Sequence, residues 1–221
     1  MNKRYTPKEI SWISFNERVL QEAENSSNPI IERLKFLGIY SNNQDEFFRV
    51  RVATLRRLAK IGESSCDIFG DEPANIIESI QNKVKNNRLR VDNTIEMIKK
   101  DLLKSNVHFV DESQILPQHL TFIKEFFYKR VRPLLMPIIL DEKCKIPDLK
   151  DDAVYFAIKI TPQHNDSFSK TRYALMKIPS NRVSRFVVLP EVNGHKYIMF
   201  IDDIIRFKLK TVFRIFNPEL I

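Results

Sequence analysis

Residues Phe36–Arg57 read FLGIYSNNQDEFFRVRVATLRR, and this stretch decides how the first half of the chain folds. Its apolar run is interrupted by three uncharged amides, Asn42, Asn43 and Gln44. Asparagine competes with the helical backbone for hydrogen bonds, so a helix interior does not favour two adjacent asparagines. The stretch therefore predicts a junction between two helices that presents carboxamides to a partner.

The paired asparagines have two interpretations. In the first, Asn42 is the C-cap of one helix and Asn43 is the N-cap of the next. In the second, a carboxamide pairs with adenine, because its adjacent donor and acceptor match those of an adenine edge. The neighbouring basic helix would then hold the anionic end of a nucleotide or polyanion through Arg49, Arg51, Arg56, Arg57 and Lys60. Spacing alone favours the caps, and the two roles can coexist on neighbouring residues.

The rest of the first half also reads as helical. Ser14 and Glu17 have the spacing of a capping box, with Phe15 beginning an apolar stripe behind the cap. Pro29 and Pro73 stand where proline is tolerated, in the first turn of a helix. The long helix after Pro73 has a polar middle, residues 85–90, which we expect to be in solvent.

The pattern changes near Ser105, after which short β-branched and aromatic runs alternate with turn signals. A helix with an apolar stripe after Pro117 lies among these runs, and Asp202 and Asp203 have the position of N-caps for a last helix. The fold class that follows is α+β. We expect an all-α domain at residues 1–106 and an incomplete α+β domain at residues 107–221.

Composition limits the function classes. The chain has 221 residues, of which 43% are hydrophobic and 29% charged, as in a soluble globular protein of one or two domains. It shows no signal-peptide pattern and no run of about 20 apolar residues that could span a bilayer. The net charge of +8 invites polyanion hypotheses, but the basic excess is spread over both halves and has no nucleic-acid-recognition pattern.

Motifs for catalysis or metal binding are absent from the sequence. The four glycines form no glycine-rich phosphate loop. Cys66 and Cys144 lack paired-ligand spacing, which favours a reduced cytosolic protein without structural zinc. We interpret each histidine as a single surface or partly buried residue, namely His108, His119, His164 and His195.

Three quoted segments carry a resemblance to a known family. These are ISWISFNERVLQEA at residues 10–23, NPIIER at 28–33 and FLGIYSNNQDEFF at 36–48. They strongly resemble the N-terminus of the long-form bacterial polyphosphate kinases. Later segments, including RYALMKIPS at 172–180 and RFVVLP at 185–190, resemble the head domain that follows in that family.

The resemblance implies an ATP:polyphosphate phosphotransferase with ATP, ADP and polyphosphate as substrates and magnesium as cofactor. It implies a homodimer that binds no nucleic acid and has no transmembrane segment. The expected location is cytoplasmic, with peripheral association with the inner membrane left open. The family reaction passes through a phosphohistidine in C-terminal domains, so we expect no catalytic residue and no magnesium ligand in this chain, which resembles an inactive N-terminal fragment.

One residue role can be carried over from the family. The second asparagine of its Ser-Asn-Asn motif contacts adenine, and in this sequence that residue is Asn43. The resemblance thus favours adenine binding for Asn43 and leaves the capping role to Asn42. The alternative function is a non-catalytic polyanion-binding or dimerisation module.

Overall fold

The computed structural model describes residues 6–61, 72–140, 146–151, 153–161 and 171–213. It divides into two compact units, Met1–Ser105 and Asn106–Ile221. The first unit is helical and the second combines helices with small sheets. The predicted α+β fold class is confirmed. Cys66, Cys144 and His164 lie outside the described residues.

The described residues of the helical unit form four α-helices, two of which are joined by a π-helical turn. Their bounds are α1 Lys8–Glu24, α2 Ile30–Phe47, the π turn Phe48–Val52, α3 Ala53–Ile61 and α4 Pro73–Lys104. Helix α1 packs against α2 and α4, and α3 packs against α4. As predicted, proline stands in the first turn of α4, where its missing N–H costs no hydrogen bond.

An apolar cluster fills one part of the helical unit. Its fully buried members are Ile13, Phe47, Val52, Leu55, Ile76 and Ile80. Trp12 of α1 stacks on Phe47 of α2 with ring centroids 4.4 Å apart. Apolar side chains on the four α-helices and on the π turn therefore converge on this cluster.

The predicted helix junction at the paired asparagines is wrong. Helix α2 continues through Asn42 and Asn43 and ends at Phe47, so neither asparagine is a cap. The local preference of asparagine against a helix interior is overridden by tertiary contacts of α2, which are described below. The junction comes later, at the π turn.

The predicted capping box is also wrong. Helix α1 begins at Lys8, and the Ser14 hydroxyl lies inside the helix and donates to the Ile10 carbonyl oxygen over 3.2 Å. Phe15, predicted to begin a buried stripe, is 60% exposed. The buried stripe of α1 runs through Ile13 and Leu20 instead.

The second unit has six strands and three α-helices among the described residues. Their bounds, with the short turns between them, are β1 Val107–Val110, a 3-10 turn Pro117–His119, α5 Leu120–Phe126, a π turn Phe127–Val131, a 3-10 turn Arg132–Leu134, β2 Pro137–Leu140, β3 Tyr155–Ile160, β4 Arg172–Lys177, β5 Phe186–Val192, β6 His195–Phe200, α6 Ile201–Phe207 and α7 Leu209–Phe213.

The strands form two three-stranded sheets. In the first, of order β1-β6-β5, β1 runs parallel to β6 and β5 runs antiparallel to it. In the second, of order β2-β4-β3, both pairings are antiparallel. Strands β5 and β6 are joined through Asn193 and Gly194, whose φ angles of 53° and 78° match a tight hairpin turn.

The core of the second unit is apolar. The stripe predicted for the helix after Pro117 was Leu120, Ile123, Phe127 and Val131. The last three are fully buried, whereas Leu120 is 37% exposed. Strand β5 alternates as a half-buried strand should, with Val187 buried and Val188 exposed. Asp202 and Asp203 lie in the first turn of α6 but make no side-chain cap, so their predicted capping role is wrong.

Candidate functional site

The side chain of Asn43 is held by a neighbouring helix. Asn43 lies on α2 and is half-buried, and its Nδ2 donates to Oδ1 of Asn16 on α1 over 3.0 Å. Asn16 is 3% exposed, and its own Nδ2 donates to the Tyr40 carbonyl oxygen over 3.1 Å. This chain of two bonds explains why α2 tolerates Asn43 in its interior: the amide bonds to another helix and not to its own backbone.

Part of the Asn43 amide remains available. None of the described residues supplies a hydrogen-bond partner to its Oδ1 or to its second N–H. Asn42, one residue earlier, is exposed. The structure therefore separates the two asparagines: Asn43 is anchored with an open edge, and Asn42 is a surface residue.

A polar seam runs between α1, α2 and α4 beyond the apolar cluster. Asn87 is buried and donates to Glu17 over 3.1 Å, while Arg90 makes two bonds of 2.8 and 2.7 Å to Glu24. The bond to Glu24 raises the pKa of the Arg90 guanidinium, and burial raises the pKa of the Tyr40 phenol. Residues 85–90 were predicted to be in solvent, which is wrong for Asn87 because it faces α1.

The far end of the same unit contains a buried arginine. Arg33 is 1% exposed; its Nε donates to the Ala23 carbonyl oxygen over 2.8 Å and its Nη1 to Asp101 over 2.9 Å. Hydrogen bonds from Lys104 and from Arg33 lower the pKa of Asp101. The Ala23 carbonyl belongs to the last turn of α1, so Arg33 satisfies a helix end while it bridges α2 to α4.

A row of cations follows Asn43 along the chain, and we call them unpaired because none forms a salt bridge with a described residue. Five exposed side chains on the π turn and α3 make no salt bridge with any described residue, namely Arg49, Arg51, Arg56, Arg57 and Lys60. At a rise of about 1.5 Å per residue, Arg49 and Arg51 lie about 9 and 12 Å along the helix axis from Asn43. Uncompensated positive charge attracts anions.

Two histidines of the second unit contact one tyrosine, and a third histidine contacts the first of them. His108 stacks on Tyr197, and His119, fully buried, meets the same ring edge-on. Nε2 of His108 lies 2.7 Å from Nδ1 of His195. The sequence analysis treated these histidines as separate residues and missed their convergence, which comes from the pairing of β1 with β6.

Within the described ranges, no group of three or more His, Cys, Asp or Glu side chains has the arrangement of a metal site. Nor does any described helix have the length and apolar character needed to cross a membrane.

Asn16 is the site residue that the sequence analysis missed. A signal for it was present: Asn16 follows Ile13 by three residues and precedes Leu20 by four, so it lies on the buried stripe of α1. An asparagine on a buried stripe must find hydrogen-bond partners in the interior.

Comparisons with known proteins agree with this organisation. The family model described as the polyphosphate kinase N-terminal domain matches residues 5–110, and the one described as the polyphosphate kinase middle domain matches residues 118–219. Polyphosphate kinase of Yersinia pestis is 38% identical over 219 residues, and that of Escherichia coli K12 is 36% identical over 215 residues. Each alignment covers 96% of this chain and 30% of the relative.

A solved structure shares the fold. The crystal structure of polyphosphate kinase from Porphyromonas gingivalis superimposes with a TM-score of 0.82 at 28% identity, covering 95% of this chain and 30% of that one. The chain therefore spans about a third of the length of the relatives it matches. Because two domain models of one family match nearly the whole chain, it belongs to the polyphosphate kinase family.

Proposed function

We propose that this chain is the nucleotide-binding portion of an enzyme that reversibly transfers the terminal phosphate of ATP to inorganic polyphosphate. The names of its relatives support the reaction class. The observation that carries the proposal is the anchored Asn43 amide, whose open edge is followed by a row of unpaired cations.

The two parts of this arrangement suit the two ends of ATP. The open edge of Asn43 offers one acceptor and one donor side by side, the complement of an adenine edge. The ribose separates base from phosphates by a distance comparable with that between Asn43 and the first arginines. Arg49 and Arg51 are two residues apart and point to different sides of the helix, so one of them would face the phosphates. Both lie on the π turn, and such turns are frequent at functional sites.

The reacting groups are proposed to lie outside this chain. Magnesium, when bound, neutralises charge on the phosphates during transfer. Most of the energy for holding the triphosphate then comes from groups elsewhere in the enzyme. The 221-residue chain should bind ATP weakly and transfer no phosphate when it is incubated with ATP, magnesium and polyphosphate. Appreciable turnover in that assay would contradict the assignment of catalysis to other domains.

The adenine contact is tested by paired substitutions at adjacent asparagines. Asn43→Ala should weaken ATP binding to this chain about tenfold, within the ~1–3 kcal/mol that one bidentate base contact contributes. Asn42→Ala is the matched control and should leave binding unchanged, because Asn42 is exposed. Nuclear magnetic resonance titration measures both affinities, and thermal denaturation checks the fold. If Asn43→Ala loses stability but keeps its affinity for ATP, Asn43 is only a structural link to Asn16.

A second candidate function is favoured by the unpaired cations alone: a non-catalytic module that binds polyanions. It predicts salt-dependent binding of polyphosphate without any preference for adenine. The double substitution Arg56→Gln, Arg57→Gln should then weaken polyphosphate binding, whereas Lys35→Gln, which removes an ion-paired lysine, should not. ATP binding that depends on Asn43 would contradict this candidate as a full account of the chain.

Homodimerisation and a cytoplasmic location, with peripheral association with the inner membrane left open, are further proposals that rest on the family resemblance. Sedimentation of the chain over a range of concentrations tests the first. A single monomeric species at every concentration would contradict self-association through these two domains. Cell fractionation tests the second.

A further inference from the structure

We propose that Asn16 is a positioning residue: it holds the amide of Asn43 in one of its two flipped orientations and thereby makes the site prefer adenine to a 6-oxo purine. This inference rests on the proposed adenine contact and deepens it. The preference for adenine would then depend on Asn16, a residue that does not itself contact the nucleotide.

The orientation of Asn16 is fixed first. Its side chain is buried between α1 and α2 and faces the Tyr40 carbonyl oxygen at 3.1 Å. A carbonyl oxygen only accepts hydrogen bonds, so the group of Asn16 that faces it must be the NH₂. The Oδ1 of Asn16 is thereby turned toward Asn43.

The orientation of Asn43 follows from that of Asn16. Because Oδ1 of Asn16 only accepts, Asn43 must direct its own NH₂ toward it, and the two atoms lie 3.0 Å apart. One N–H of Asn43 is used in this bond. Its Oδ1 and its other N–H have no partner among the described residues, and the bond to Asn16 fixes which side of the amide carries the oxygen.

A fixed order of acceptor and donor discriminates between purines. Adenine presents the 6-amino group as donor beside a ring nitrogen as acceptor. On the Watson–Crick edge, a 6-oxo purine such as the base of ITP presents an oxygen acceptor beside an N–H donor, which is the reverse order. When the ribose and phosphates hold the base with the same face toward the site, Asn43 can pair with that edge only after an amide flip. The flip would set its Oδ1 against Oδ1 of Asn16. Two acceptors in contact are unfavourable, so the hydrogen bond to Asn16 excludes the flipped state of Asn43; we call this restraint the lock.

The test compares ATP with ITP, which differ only in this edge. ¹⁵N-labelled wild-type chain is titrated with each nucleotide, and binding is followed at the side-chain amide signals of Asn43. We expect the wild type to prefer ATP by about tenfold, the range of one bidentate base contact. Asn16→Leu should bring the ratio of the two affinities close to one.

Two further variants separate positioning from stability. Asn16→Asp removes the donor to Tyr40 but keeps an acceptor facing Asn43, so it should destabilise the fold and yet retain the preference for ATP. Asn87→Leu disturbs another buried asparagine of the same seam and should leave the ratio unchanged. A residue with a merely structural role would alter both affinities by the same factor.

The outcomes distinguish this inference from the proposed function. If Asn43→Ala abolishes the ATP preference while Asn16→Leu keeps it, Asn43 reads adenine but Asn16 does not position it. If the wild type binds both nucleotides equally, or binds neither at Asn43, the proposed adenine contact fails and this inference fails with it. If a variant does not fold, a measurement on the wild type without ligand still tests the inference. The two Nδ2 protons of Asn43 should exchange with solvent at very different rates, because only one of them is bonded to Asn16. Equal rates would overturn the lock.

Discussion

The two units of the chain differ in what they bury. Where the structure describes the helical unit, five polar or charged side chains are buried among the apolar ones: Glu9, Asn16, Arg33, Asn87 and Thr94. Among the described residues of the second unit, only His119 and Asp203 are buried polar side chains. That unit is organised around one large apolar cluster, to which both sheets and the helices contribute.

This difference has a consequence for how specifically each interior is determined. An apolar core mainly requires matching volumes and tolerates changes that preserve them. A polar interior requires a partner of the right type for each donor and acceptor, so it fixes orientation as well as shape. The residue proposed to contact ATP lies at the edge of the polar interior, where orientation is fixed.

The largest expected effect is a loss of stability on truncating a side chain in the apolar core of the second unit. Phe127 is fully buried in the second unit, and Phe127→Ala should lower the free energy of unfolding by about 3–5 kcal/mol, through lost burial and the cavity left behind. Tyr128, the next residue, is 52% exposed, and Tyr128→Ala should cost about 1 kcal/mol or less. Urea denaturation followed by circular dichroism measures both. Equal costs would mean that this core does not depend on Phe127.

A smaller loss of stability is expected on replacing a buried polar side chain of the helical unit. Arg33→Met should lower the free energy of unfolding by about 2–4 kcal/mol, because it leaves the Ala23 carbonyl oxygen and Asp101 without their buried partner. Lys35→Met removes an exposed, ion-paired lysine of the same helix and should change stability by less than about 0.5 kcal/mol. If Arg33→Met left the free energy of unfolding unchanged, an apolar side chain would serve equally well at this position. The polar interior would then contribute no more to stability than an apolar one.

The smallest expected effect is a dependence on pH. The pKa of Asp101 is lowered in the folded state by Lys104 and Arg33, so the unfolded chain binds a proton there at a higher pH than the folded chain does. The contribution of Asp101 to stability is therefore complete well above the ordinary Asp pKa of 3.8 and is lost as the pH falls through the lowered folded-state value. Asp101→Asn should flatten the acid limb of the stability curve. Urea midpoints between neutral and acid pH measure the slope, and parallel curves for wild type and Asp101→Asn would contradict this link.

The same comparison explains what the sequence could predict. Apolar periodicity located the strands and the helix after Pro117, since burial alone decides the positions of Ile123 and Val131. It failed in the helical unit. Asn16 is buried on a helix face where the pattern leads one to expect apolar residues, and Asn87 is buried although its segment was predicted to be in solvent. The error at Asn43 had the same origin: a local backbone preference was overridden by a bond to another helix, and no local pattern contains that partner. The adenine contact of Asn43 stays a prediction.

The stacked pair of Trp12 and Phe47 has a practical consequence. Trp12 is the only tryptophan in the sequence, and Phe47 follows Asn43 by one helical turn. Intrinsic tryptophan fluorescence therefore reports on the helical unit alone, while the second unit emits only tyrosine fluorescence. Exciting the chain at tryptophan-selective wavelengths should give the unfolding curve of one unit in the presence of the other, without labelling and without cutting the chain.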